Sequence, residues 1–462
     1  MSTIPLPERP DLNQLRTQAK ELRRAAGPDA TLSDAQRELA RRHGFASWPR
    51  LRRHVEAINA RTWSFAEATG DEPLTDRFLR LVCLNFTEDE VDRREQAARL
   101  LDQHPDLPAA NLAVAAVCAD AEQVRQHLAS GVSATTPSGP YDWSPLMYLA
   151  YARPVGVGLE ATLNSARLLL DAGADPNDGR FFLGLPTPFT VLTGVLGGGE
   201  DDQPPHPHSI PLARLLLSRG ADPNDGQTLY NRMFSEEDDF LRLLLGFGLG
   251  RGDGGPWRRL LPDMIDTPAE QLRSLLKWAV THNQRQRVAL LAEHGVDVIT
   301  PFPDGTTPVR LAQRNGHRKL ARFLRERGAP TPELEPVETF IAAVLAVDAT
   351  AVAATPPDVV AAAREARPGL MVWATALGRH DAVKLLADNG FDVNARSRGD
   401  MPVEQPWQTA LHSAVETGDV EMVRLLLDLG ADPTIRDGRF DGDAMSWAEH
   451  FGRTEIAEML AR

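Results

Sequence analysis

Apolar residues recur along this chain in short amphipathic blocks, most of them closed by a glycine. In residues 409–433 (TALHSAVETGDVEMVRLLLDLGADP) the pattern predicts a short helix from Thr409 to Gly418. A second helix follows, with Val423, Leu426 and Leu427 at helical spacing, and ends at Gly430. Glycine at such an end takes the left-handed conformation that stops a helix without a Cβ clash. Related endings recur at 168–177 (LLLDAGADPN), 215–224 (LLLSRGADPN), 290–298 (LLAEHGVDV), 323–330 (FLRERGAP) and 385–394 (LLADNGFDVN). The closing glycines are 131, 173, 220, 248, 295, 328, 390 and 430. The 33-residue step from 295 to 328 is one helix–turn–helix–turn unit, and the 62-residue step after it holds an extra degenerate unit at 336–360. Other steps imply insertions near 153–161, 197–209 and 249–268. Counting outward gives about eleven helix pairs over 73–462.

Residues 10–60 follow a different pattern. PDLNQLRTQAKELRRAA reads as one helix. LSDAQRELARRH reads as a second, capped by Thr31 or Ser33 and ended by Gly44. Ser47 is the expected cap of a third, with Pro49 in its first turn. Leu12, Leu15, Leu22, Leu39, Phe45, Trp48, Leu51 and Val55 suffice for a small helical cap. Arg41, Arg42, Arg50, Arg52 and Arg53 make this segment locally basic, which fits either a solvated face or a dock for an acidic partner.

The repeated units resemble the ankyrin repeat. Its T-P-L-H-x-A pattern is matched by TALHSA (409–414), TTPVRLA (306–312) and SPLMYLA (144–150), together with the GADPN endings. The resemblance spans roughly 390 residues, closest at 405–435. It implies an all-α solenoid of stacked helix pairs with projecting turn fingers, preceded by a small helical N-terminal cap. The N-terminal segment is similar to one found ahead of repeats in many bacterial ankyrin proteins. Ankyrin arrays characteristically hold a protein partner in a concave groove, so the resemblance implies a binding scaffold and not an enzyme.

The chain has 462 residues, 42% hydrophobic and 25% charged, which excludes wholesale disorder. A net charge of -14 argues against nucleic acid and anionic membranes, and favours a protein partner with a basic surface. No run of about 18 apolar residues and no apolar signal core is present. The two cysteines, Cys83 and Cys118, lie in apolar runs and read as buried thiols in a reducing cytoplasm. Only four of the 50 basic residues are lysine, a bias that suggests a GC-rich bacterial source.

The inner-helix columns and fingers supply the expected partner-binding residues: Tyr141, Trp143, Tyr151, His282, Arg314, Trp407, Glu416, Arg439 and His450. Tyr148, Trp278, Trp373 and Trp447 occupy a column that should face the second helix as core. One unit breaks the pattern. In GQTLYNRMF (226–234) the leucine and alanine that should face inward are Asn231 and Arg232. Either a polar pocket formed by Tyr148, Tyr230, Asn231, Arg232, Arg251 and Asp253, or a structural ion pair, or a different register would account for it. The first of these would make the chain a small-molecule-binding or catalytic protein built on the 141–261 repeats.

Gly250, Gly252 and Gly255 spell G-x-G-x-x-G, but a helix and not a strand is expected before them, which excludes a dinucleotide site. Their amides, with Arg258 and Arg259, could form an anion nest. His206 and His208, with Glu200, Asp201 and Asp202 nearby, could ligate a divalent metal. The surrounding prolines and glycines fit a plain loop as well. No metal and no cofactor is expected, and no nucleophile elbow, P-loop or HExxH motif is present. A third reading is a capped structural or regulatory module in which the 10–60 segment docks on the array and masks its groove.

Overall fold

The computed structural model describes residues 4, 6–7, 9–63, 71–86, 91–182, 185, 187–200 and 203–461. Two compact units emerge, residues 1–275 and 276–462.

The first unit begins with three helices, α1 (Leu12–Ala26), α2 (Leu32–Arg42) and α3 (Trp48–Arg61). The Asp11 carboxylate caps α1 by accepting from Asn13 N at 2.7 Å, and Thr31, not Ser33, caps α2. Ser47 stands at the start of α3 but its hydroxyl makes no capping bond, so Pro49 alone marks that end. Leu15, Ala19, Leu39, Ala40, Phe45, Leu51 and Val55 form the core of this segment.

Helix pairs follow: Leu74–Val82 with Val91–Gln103, Leu112–Val117 with Ala121–Ala129, Pro145–Tyr151 with Leu159–Asp171, and Val191–Leu196 with Ser209–Ser218. Gly226–Met233 and Asp239–Gly246 come next, then the short helix Gly255–Leu260 and the helix Pro268–Thr281, within which the two units meet in sequence. The first helices pack in sequence order (112–117, 145–151, 191–196, 226–233), and so do the second helices. Each short first helix is therefore covered on several sides, and all six residues of Leu112–Val117 are buried. Neither helix of a pair could bury its apolar face alone.

The sequence pattern predicts no strands, yet a small sheet is present. β1 (Thr62–Trp63) pairs in parallel with β2 (Gly179–Phe182), and β2 pairs antiparallel with β3 (Pro188–Thr190). β2 and β3 are the two sides of one elongated finger, and β1 adds to its edge.

The second unit repeats the pairing: Pro308–Arg314 with Arg318–Glu326, Pro336–Leu345 with Ala349–Ala353, Leu370–Ala376 with His380–Asp388, Ala410–Thr417 with Val420–Asp428, and Ala444–His450 with Thr454–Leu460. The degenerate unit carries an additional helix, Pro357–Ala366. In the pair at 409–430 the Thr409 hydroxyl and His412 form a capping box, and Gly418 is left-handed at the C-cap. Trp373 is buried, as expected for its column, whereas Trp278 and Trp447 are only partly covered.

The asparagine at the end of the repeated motif joins one turn to the next. Asn177 donates to Gly220 O at 2.9 Å and accepts from Asp222 N at 2.8 Å. Asn394 does the same to Gly430 O and Asp432 N, at 3.3 and 2.8 Å. Asn224 likewise accepts from the amide two residues beyond the turn glycine Gly248, Gly250 N at 2.8 Å, but donates to Arg251 O at 3.0 Å. The glycine-rich 248–255 segment is thus the next turn in the series, and the helix Asp239–Gly246 precedes it where a dinucleotide site would need a strand.

Candidate partner-binding surfaces

In the first unit the expected contact residues are already occupied. Tyr141, Trp143 and Tyr151 are buried. Trp63 lies among them, its ring 4.5 Å from Trp143, 5.8 Å from Tyr141 and 5.9 Å from Tyr151, with Phe182 and Phe189 at 5.2 and 6.4 Å. Tyr151 donates its hydroxyl to Thr190 O at 3.0 Å. These three residues are core in this structure, which corrects their assignment as a free surface. The sequence offered one signal for Trp63, an isolated Thr-Trp pair of strand-forming type just beyond a helix.

The polar-pocket expectation also fails, because its members do not converge. Tyr148 is fully buried, with its hydroxyl donating to Ser138 O at 2.8 Å and accepting from Tyr141 N at 3.1 Å. Burial pushes the pKa of this phenol well up. Tyr230 instead faces outward, its hydroxyl 2.6 Å from Glu200 Oε1. Arg232 is 5% exposed and pairs with Glu237 at 3.2 Å and Asp239 at 4.0 Å, its guanidinium 5.4 Å over the Phe240 ring. Asn231 accepts from Gln227 Nε2 at 2.7 Å. The broken repeat is therefore a structural ion pair beside a buried amide pair. The buried Asp225 carboxylate extends this polar column, accepting from Thr193 Oγ1 and Thr228 N at 3.2 and 3.0 Å and from the Thr190 hydroxyl.

Arg251 and Asp253 lie elsewhere, bordering a shallow hollow with Asp222 and Arg259. The anion nest is filled from within the chain. Gly250 N donates to Asn224, Gly255 N donates to Asp253, and Arg259 pairs with the Asp253 carboxylate at 2.8 Å.

His206 and His208 staple their loop. His206 Nδ1 accepts from His208 N at 3.0 Å, and His208 Nε2 lies 2.8 Å from Val157 O. Burial pushes His206 down to about 3, so it is neutral at ordinary pH. Asp201 and Asp202 lie outside the described residues. Among the described residues no group of three or more His, Cys, Asp and Glu is placed to share a metal ion.

A buried arginine that the pattern did not single out holds this region together. Arg153 donates to Ala150 O, Ala152 O, Gly194 O and Pro204 O, at 3.1, 2.9, 2.7 and 2.7 Å.

The second unit keeps its contact residues closer to solvent. The guanidinium groups of Arg398 and Arg439 lie over the Trp407 ring, at 4.2 and 4.8 Å. Arg398 also pairs with Asp400, and Arg439 stands exposed. The next finger is built on Asp437, which is 4% exposed. Its carboxylate accepts from Arg439 N, Phe440 N, Gly442 N and Trp447 Nε1, at 2.7, 2.6, 2.9 and 3.0 Å. Burial would raise its pKa, but these four donors outweigh burial and hold it below the usual carboxylate range. The result is a tight loop that holds Phe440 outward, 66% exposed. Sequence reasoning missed Asp437. Its signal was the Asp-Gly pair opening DGRFDG (437–442), where an Asx-type turn is expected.

Glu416 and His450 are exposed on inner-helix ends, and the His450 ring lies edge-on to Phe451 at 4.9 Å. Crowding by protein raises the Glu416 carboxyl pKa against the hydrogen bond it accepts from Gln408, and Asp400 adds to the rise. Arg314 is half-buried, 3.9 Å from Glu338. His282 is engaged within its unit: it stacks on Trp278 at 3.8 Å, and Nε2 lies 2.8 Å from Asp400 O.

Residues 358–437 match the ankyrin-repeat family in three copies. The stretch lies in the second unit and includes the Asn394 turn and the Thr409 capping box. Over 185 residues the chain is 31% identical to a Caenorhabditis elegans protein described as ankyrin repeat and KH domain-containing protein mask-1. That match covers 37% of this chain and 6% of the relative. The fold class is an all-α ankyrin-repeat solenoid. Ankyrin repeats generally mediate protein–protein interaction. Among the described residues no helix is long and apolar enough to cross a membrane.

Proposed function

We propose that the protein is a non-enzymatic binding scaffold that holds a protein partner on the fingers and inner-helix ends of the second unit. The observation that carries this reading is the Asp437 loop. Four hydrogen bonds to one buried carboxylate hold an aromatic ring largely in water, with the Arg439 guanidinium 4.9 Å over it and the Trp447 ring 6.4 Å away. Such a ring is already ordered before a partner arrives, so its burial loses little entropy on binding. Trp407, Arg439, Glu416 and His450 surround the same surface in this proposal, with Arg314 and His282 further along the inner helices.

The chain's net charge of -14 favours a partner with a basic surface and a salt-sensitive association. Exposed Arg439, with Arg398 and Arg436 in the same fingers, departs locally from that charge and suits a carboxylate or carbonyl of that partner. The arginine bias supports an origin in a GC-rich bacterium, and the two unpaired cysteines fit a cytoplasmic setting. The 10–60 helices would then be the cap of such a bacterial array, followed by the repeats over 73–462.

The test is a comparative capture from host lysate using wild type, Trp407→Ala/Phe440→Ala and a control, Val155→Ala, at an apolar residue exposed in the first unit. A protein retained by wild type and the control but lost with the double variant supports the reading. Equal capture by all three chains overturns the assignment to these fingers.

A further inference from the structure

The N-terminal segment is seated on the first unit in the manner of a bound peptide. β1 adds in parallel to the free edge of β2, pairing Thr62 with Phe181 and Trp63 with Phe182. Strand addition with alternate side chains entering pockets is a general mode of peptide recognition. Here Trp63 fills a socket walled by Trp143, Tyr141, Tyr151 and Phe182, and is 1% exposed. Two residues earlier, the Arg61 guanidinium lies 5.8 Å over the ring of Trp257. Behind them, Ala57 and Ile58 pack on Phe181, Leu261 and Ile265, and Arg50 forms a salt bridge with Asp263.

The contact is well filled but incompletely paired. The indole nitrogen of Trp143 and Nδ1 of His54 are buried without a hydrogen-bond partner, and a small cavity lies between His54 and Leu260–Met264. Buried polar atoms left unpaired weaken an interface relative to one that is fully satisfied. The seated state therefore gives up part of what its burial gains.

We propose that residues 48–63 are an intramolecular ligand. They occupy a docking slot, formed by the β2 edge and the 141–151 aromatics, that takes an extended strand bearing a cation two residues before a tryptophan. While the segment is seated, the first unit offers no such slot to other chains. A partner strand of the same chemistry enters by displacing it.

The experiment uses full-length protein and a fluorescein-labelled synthetic peptide of residues 57–66 (AINARTWSFA) as the probe, read by anisotropy. Trp63→Ala protein is expected to bind the probe at least tenfold more tightly than wild type, whose slot is filled. The same peptide with Trp replaced by Ala should bind neither. Equal binding of the probe to both proteins, or no binding of the probe to a Trp63→Ala protein whose circular dichroism is native, overturns the proposal.

Should Trp63→Ala fail to fold, hydrogen exchange on wild type decides. The amides of 57–63 and 179–182 are expected to open together, well before those of helices 191–196 and 209–218. Exchange of all four stretches only by global unfolding would make the segment permanent core and reject the idea. Neither readout involves the fingers of the second unit, so the outcome is independent of the scaffold reading.

Discussion

Arg232 shows what a single residue can reveal and conceal. Its place in GQTLYNRMF is visible in sequence as a charge where the repeat asks for alanine. Whether that charge meets a ligand or a carboxylate depends on side-chain directions that periodicity does not carry. The structure pairs it with Glu237 and Asp239 over Phe240. Removing one partner of a buried pair leaves the other exposed to the full imbalance, but here the carboxylates face solvent and can rehydrate. Arg232→Ala is therefore expected to destabilise the first unit by about 2–4 kcal/mol, mostly through lost packing, and Arg232→Met by clearly less. Urea denaturation of the two variants checks the order.

His54 supplies a pH-dependent case. Burial pushes it down to about 4 from 6.5, opposed by Asp263, with Arg50 and Arg53 the other charged groups at its cavity. Because its folded value is the lower, the unfolded chain takes the proton first. The stability of the seated neutral ring is complete above pH 6.5 and is lost as the pH falls from 6.5 to about 4. The loss amounts to on the order of 3 kcal/mol at about 1.4 per unit. His206 and His317, lowered to about 3 and about 4, lose stability in the same direction. The measurement is therefore the difference between wild type and His54→Leu in denaturant midpoints at pH 7 and pH 5. A difference unchanged between the two pH values would contradict the sign argued here.

At the scale of elements, the helix pairs were legible because their signals are local: a cap, an apolar stripe and a glycine within some 30 residues. The turn asparagines were visible as letters but not as joints, since their partners lie one repeat away. Replacing Asn394 with Ala removes a donor to Gly430 O and an acceptor for Asp432 N, both near solvent. The expected cost is about 1 kcal/mol in thermal or urea unfolding of the second unit, because water replaces part of what is lost.

The strands were illegible for a related reason. β1 finds β2 across the sequence distance from Trp63 to Phe182, and no period links them. Gly194 belongs with these long-range features. It lies against the Tyr151 ring, and a Cβ there would overlap the ring's edge. Gly194→Ala should cost about 1–3 kcal/mol despite the higher helix propensity of alanine, because the ring is walled in by Trp63 and Trp143 and cannot move aside. A stabilised variant would show that the socket is looser than its distances imply.

At the scale of the whole molecule, the two units use their aromatic residues in opposite ways. The first turns Tyr141, Trp143 and Tyr151 inward around Trp63. The second sets Trp407 against two arginines and holds Phe440 largely in solvent. Sequence reasoning counted both sets as surface because finger residues look alike until a distant segment is known to cover them. The contrast gives a way to separate binding from folding. Phe440 is 66% exposed, so Phe440→Ala should leave the melting temperature of the chain within about a degree, as surface substitutions do. If this ring is an anchor, the same change should weaken a captured partner by about 2 kcal/mol, near thirtyfold. Asp437→Ala should behave differently. It releases three backbone amides and the Trp447 indole at once, so melting temperature and affinity should fall together. A Phe440→Ala chain that melts early would make the ring a packing element, and the exposed loop would then need another reason for being held so tightly.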